Sequence, residues 1–129
     1  MNLFEKTPFA WKKILDWSER EEGFVKRAAF ALMACLAWHD KTTGDEVFVK
    51  LLPVIKQGAM DERNFVKKAV NWALRNIGKR NLNLNNAAVE VAKDILRMES
   101  NSARWVASDA IRELESEAVQ RRLKEKVET

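Results

Sequence analysis

Between Arg63 and Val89 the chain carries six basic residues, Arg63, Lys67, Lys68, Arg75, Lys79 and Arg80, and no Asp or Glu. At 100° per residue, Lys68, Asn71, Trp72, Arg75 and Lys79 fall on one side of a helix, and Val66, Ala69, Val70, Ala73 and Ile77 fall on the other. A cationic stripe with an indole in its middle suits an anionic polymer: Lys and Arg meet phosphates, and the ring meets sugar or base. The plainer reading of such a stripe is a solvated helix face, and Lys79-Arg80 also suit the negative end of a helix dipole.

Other chemistry has little support. Cys35 and His39 lie one helical turn apart, the spacing of a thiol-imidazole pair, but a buried Cys near a helix-end His explains them as well. One Cys and one His are too few for a metal site, and neither a Gly-rich phosphate loop nor a metalloprotease motif occurs. The expectation is therefore no metal, no cofactor and no catalytic residue; Glu21-Glu22 and Asp61-Glu62 sit at helix starts, where dipole and capping effects account for them. Trp11, Trp17 and Trp38 lie among apolar neighbours and read as core, with Trp72 the exception. The formal charge is only +4, so the clustering of charge, and not its total, points to nucleic acid. The single Cys excludes an internal disulfide, and with no signal-like or membrane-spanning run the expected location is the cytoplasm.

The elements that must hold this stripe form a repeat. Phe24, Ala28, Leu32, Met33 and Leu36 match Phe65, Ala69, Ala73, Leu74 and Ile77 at a shift of 41; a further shift of 37 brings Ala69, Ala73, Leu74, Arg75 and Ile77 onto Val106, Ala110, Ile111, Arg112 and Leu114. A period of about 40 built from helix pairs belongs to the HEAT and armadillo class. The predicted fold is all-α: one domain, a HEAT-like solenoid of about six helices in three antiparallel pairs, with repeats near 7–41, 43–81 and 85–116. Thr7-Pro8, Ser18 with Glu21, Thr43 with Glu46, Asp61, Asn85 or Asn86, and Ser100 or Ser102 read as helix starts. Pro53 is expected to kink or interrupt its helix, and the charged tail 117–129 to fray. Stacked repeats would align Arg27 with Lys68 and Arg75 with Arg112 in a ladder able to follow phosphates.

Two segments carry a family resemblance. Phe24-Val25-Lys26-Arg27-Ala28-Ala29-Phe30-Ala31-Leu32-Met33 and Asp61-Glu62-Arg63-Asn64-Phe65-Val66-Lys67-Lys68-Ala69-Val70-Asn71-Trp72-Ala73-Leu74-Arg75 resemble the AlkD-type DNA alkylation repair family, glycosylases built of HEAT-like repeats. Lys6-Thr7-Pro8-Phe9-Ala10 and Trp17 fit the same pattern. The resemblance implies a curved helical solenoid that holds duplex DNA on a basic concave face and removes N3- or N7-alkylated purines. On the matching positions, Arg27 would contact phosphate, Trp72 would stand in the cleft, and Arg75 would contact DNA beside it. The family's catalytic aspartate and companion tryptophan lie before the stretch matching Leu3-Phe4, so the resemblance is to the C-terminal part of such an enzyme. Asp109 occupies the repeat position of Trp72 but matches no catalytic position.

The resulting expectation is a duplex DNA partner, possible alkylation damage included, bound through Arg27, Lys68, Trp72, Arg75, Lys79 and Arg112. Base excision by this chain alone is not expected. A protein-interaction scaffold is the alternative that the solenoid architecture equally permits. Apolar residues near Phe4, Phe9 and Trp11 suggest self-association through the N-terminal end, and no membrane partner is expected.

Overall fold

The computed structural model describes Asp16, residues 22–39 and residues 44–128, without the side chains of 126–128. Six helices follow in order among these residues: α1 (Gly23–His39), α2 (Asp45–Gly58), α3 (Asn64–Gly78), α4 (Leu82–Leu96), α5 (Asn101–Leu114) and α6 (Glu117–Glu128). No strand occurs among the described residues, so the all-α helical-repeat expectation holds. The signals at Thr7-Pro8, Ser18 with Glu21, and Thr43 lie outside the described residues, as does the proposed self-association patch.

The helices form two rows. One row sets α3 between α1 and α5, and α2 and α4 pack behind it, each against α3 and against one another. Polar ties fix the directions. At one end Lys26 of α1 donates to Asp61, just before α3, and Ser102 of α5 donates to the Asp61 carbonyl. At the other end Asn76 and Arg80 donate to the carbonyls of Ala34 and Ala37. The row members α1, α3 and α5 therefore run parallel, and the short connections reverse the chain through α2 and α4. This arrangement lets each repeat bury its apolar stripe on its neighbours. Phe30, Met33, Phe48, Ile55, Val66, Leu74, Ile77, Leu84, Ile95 and Leu114 are fully buried.

Two glycines are required by close approach. A Cβ on Gly78 would lie 2.6 Å from a Leu114 methyl, and one on Gly58 would overlap the Phe30 ring. Each stands at the last turn of its helix, where a side chain would push the rows apart.

Several local expectations change. Ser100 caps α5 as read, accepting from Ala103 N at 3.2 Å. For α4 the cap is Asn81, which accepts from Leu84 N at 2.8 Å; the helix starts three residues before Asn85, and Asn85 is buried inside it. Asp61 does not cap α3; it accepts from Arg63 N, and Arg63 is the N-cap residue. Gly44 is the N-cap of α2 and offers no side chain, although Asp45 and Glu46 suit the positive end of that helix. The helix runs through Pro53 without a break; the proline and Val49, four residues earlier, whose carbonyl loses its helical donor, are both exposed. The tail expected to fray is α6: Val119 and Leu123, one turn apart, are buried, and Gln120 donates to Asn85 Oδ1 and the Leu114 carbonyl.

Candidate nucleic-acid interface

Buried positions define which way each stripe faces. On α3, Val66, Ala69, Val70, Ala73, Leu74 and Ile77 are buried, and on α5, Ala103, Val106, Ala107, Ala110 and Leu114. These two sets repeat at 37, the shift read from sequence. Because α2 and α4 lie behind α3, the opposite stripe of α3, with Phe65, Lys68, Trp72, Arg75 and Lys79, faces away from the second row. The matching stripe of α5 presents Trp105, Ser108, Asp109 and Arg112. Trp72 is 37% and Trp105 40% exposed, so two indoles stand on this face among cations. Asn71, placed on the polar stripe from sequence, is instead buried and donates to the Val106 carbonyl at 3.1 Å, joining α3 to α5.

The register of α1 differs by one residue. Its buried set, Ala29, Phe30, Met33, Ala34 and Ala37, answers Ala69, Val70, Ala73, Leu74 and Ile77 at a shift of 40, not 41. One residue is about 100° of rotation, so Arg27 corresponds to Lys67 and not to Lys68. Phe24 and Phe65 nonetheless meet, stacked with ring centroids 5.3 Å apart. Trp38, expected in the core, is 63% exposed and lies against the His39 ring at 4.8 Å.

An acid-free stretch of sequence is not an unpaired stretch in space. Arg63 is held by Asp61 at 2.6 Å, and Arg80 donates to the Ala37 carbonyl while lying 4.2 Å from the Phe48 ring centre. Lys67 sits 5.3 Å from the Trp105 ring centre. Arg75 Nη1 donates to Glu113 Oε2 at 2.8 Å, and Lys79 Nζ lies 2.5 Å from Glu113 Oε1. Arg112 Nη2 donates to Asp109 Oδ1 at 2.7 Å. Lys68 and Arg27 are exposed and have no ion-pair partner among the described residues. Three cations, Arg75, Lys79 and Arg112, thus share two carboxylates, and Lys68 and Arg27 add their full charge.

Two carboxylates, Glu113 beside the stripe and Asp61 before α3, have pKa values below their ordinary ones. Burial pushes the Glu113 carboxyl up, but hydrogen bonds from Lys79 and Arg75 outweigh it and leave the group below its ordinary value. Arg63 is the main cause of a strong lowering at Asp61, against the effect of burial and with help from Lys26. Sequence reading missed Glu113 altogether. Its signal was present: a carboxylate 38 residues after Arg75, near the repeat period, and one turn after Asp109.

The six anticipated positions are therefore distributed over one row of helices. Lys68, Trp72 and Arg75 share a stripe of α3 that Lys79, its C-cap residue, continues, Arg112 stands on the adjoining stripe of α5, and Arg27 lies on α1. Among the described residues no three His, Cys, Asp or Glu side chains group as metal ligands, and no helix is long and apolar enough to cross a membrane. A polar groove of about 460 Å³ lined in part by Glu90, Lys93 and Glu115 opens on α4 and the α5–α6 turn, apart from these cations.

The family model of the DNA alkylation repair enzyme matches residues 2–114. The chain belongs to the DNA alkylation repair enzyme family. The match contains every cation and indole of the described face and ends at Leu114, the last residue of α5. Helix α6 (Glu117–Glu128) lies after the matched residues. Family membership supports a role connected with DNA repair. No curated protein and no solved structure matches the chain.

Proposed function

We propose that the exposed face of α1, α3 and α5 binds duplex DNA. The observation that carries this reading is the combination of Lys68 and Arg27 without carboxylate partners and Trp72 and Trp105 half-exposed on the same row of helices, in a chain of the DNA alkylation repair family. Cations without internal partners can release counterions from a phosphate backbone, whereas fully paired ones contribute little. The indoles offer flat apolar surface to sugar or an unstacked base.

Anisotropy of a labelled duplex titrated with the chain tests the reading. Affinity should fall steeply with salt, and Lys68→Glu should lower it at least tenfold while Lys124→Glu, on α6 and outside the row of α1, α3 and α5, changes it little. Equal losses from both variants would reduce the effect to general charge attraction. Binding that withstands high salt would favour a protein-interaction scaffold. Base excision is a separate property, tested by release of alkylated purines from methylated duplex.

A further inference from the structure

The two carboxylates on the cationic face differ in what else they can reach. Glu113 has both oxygens engaged, one by Arg75 Nη1 and one by Lys79. Asp109 holds Arg112 through Oδ1 at 2.7 Å, and its Oδ2 lies 4.0 Å from Arg75 Nε. That Nε is buried and has no hydrogen-bond acceptor. A buried donor left without an acceptor is costly, so a carboxylate about 1 Å beyond hydrogen-bonding range has a strong reason to close on it once its present partner is taken. The Arg112 side chain is 77% exposed and open to an incoming anion.

Resting on the DNA-binding reading above, we propose that Asp109 is an exchangeable counter-ion of the DNA face. In the free protein it pairs with Arg112. When duplex binds, a phosphate oxygen takes the Arg112 guanidinium and Asp109 turns to Arg75 Nε, supplying the acceptor that Nε lacks. Glu113 stays in place and holds Arg75 and Lys79 through the exchange. Asp109 is thus a positioning residue that acts through Arg112 and Arg75 without touching DNA. Its consequence is that α5 presents an unpaired cation only when a phosphate is there to receive it.

The test compares duplex affinity and its salt dependence for the wild type, Asp109→Asn, Arg112→Ala and the double variant, with thermal melts to verify folding. An exposed ion pair competes weakly, so Asp109→Asn should bind about threefold more tightly. Its dependence of log K on log salt should stay close to that of the wild type, because Arg112 meets the phosphate in both, whereas Arg112→Ala should flatten it by about 0.9, the share of one phosphate contact. Most of that gain should disappear in the Arg112→Ala background. A gain of the same size with and without Arg112 would reveal general charge removal and overturn the exchange. So would unchanged affinity in folded Asp109→Asn and Asp109→Ala while Lys68→Glu still lowers affinity at least tenfold, a result that leaves the DNA face standing. A folded wild type that binds no duplex at low salt would overturn both.

Discussion

Asn85→Ala is the substitution whose cost the structure defines best. Asn85 is 3% exposed, and its Nδ2 donates to the carbonyls of Gly78 at 3.1 Å and Leu114 at 3.2 Å, while its Oδ1 accepts from Gln120 at 3.1 Å. Gly78 and Leu114 are the last residues of α3 and α5, so one side chain from α4 ties together the ends of the two helices that carry Lys79 and Glu113. These carbonyls are among those a helix leaves without an internal partner. Truncation removes three hydrogen bonds, each worth about 1 kcal/mol net. Leu114 keeps a bond from Gln120 at 2.8 Å, so the Gly78 carbonyl bears the main loss. The better helix propensity of Ala returns roughly 0.5 kcal/mol. The expected destabilisation is about 2–3 kcal/mol, a Tm lower by roughly 10 °C for a chain of this size. Urea titration followed by far-ultraviolet circular dichroism gives the difference directly, with Asn86→Ala, at an exposed position of the same helix, as the control. A loss under about 0.5 kcal/mol, or one no larger than that of Asn86→Ala, would show that the buried amide is not a clamp.

Other outcomes follow from the same contacts. Asn81→Ala removes the cap of α4 and the bond to Asp45 Oδ1 at 2.9 Å, and should cost about 1–2 kcal/mol by urea titration, whereas Asn83→Ala, at an exposed site, should cost less than half as much. Arg80→Ala should destabilise by about 2 kcal/mol by the same measurement because the guanidinium holds the end of α1 and covers Phe48, while Lys68→Ala should leave stability within about 0.5 kcal/mol. Asp61 and Glu113 both have folded-state pKa values below their ordinary ones, so the stability they supply is present above the unfolded carboxylate range, near pH 4, and is lost as pH falls toward the folded values. Melting temperature should therefore decline steeply below about pH 4, and Asp61→Asn should be less stable at pH 7 with a shallower acid decline; an unchanged pH profile in that variant would contradict the role of the Lys26–Asp61–Arg63 cluster.

Much of the architecture was legible along the chain because it depends on short-range periodicity. The 37-residue shift between α3 and α5 carries the same buried positions in both helices, and the Ser100 cap needs only a side chain and the next turn. The stripe of Lys68, Trp72, Arg75 and Lys79 was readable for the same reason. The reading failed where two segments distant in sequence decide the outcome. The match of Phe24 with Phe65 suggested a shift of 41, but packing of α1 on α3 selects 40, since rotating the helix by one residue buries Ala29, Phe30, Met33, Ala34 and Ala37 together. The asparagines from Asn81 to Asn85 look like turn residues in sequence, yet Asn85 bonds to the ends of α3 and α5 and Asn81 to Asp45 of α2.

The candidate site divides in the same way. Residue type and helical spacing alone determined that Lys68, Trp72, Arg75 and Lys79 share one face of one helix. Tertiary structure decided which of their charges remain available: Glu113 comes from α5 to hold Arg75 and Lys79, Asp109 holds Arg112, and Lys68 keeps no partner among the described residues. Helical periodicity orders side chains along a single axis, whereas an ion pair depends on the distance between two axes, and that distance exists only after the rows have packed.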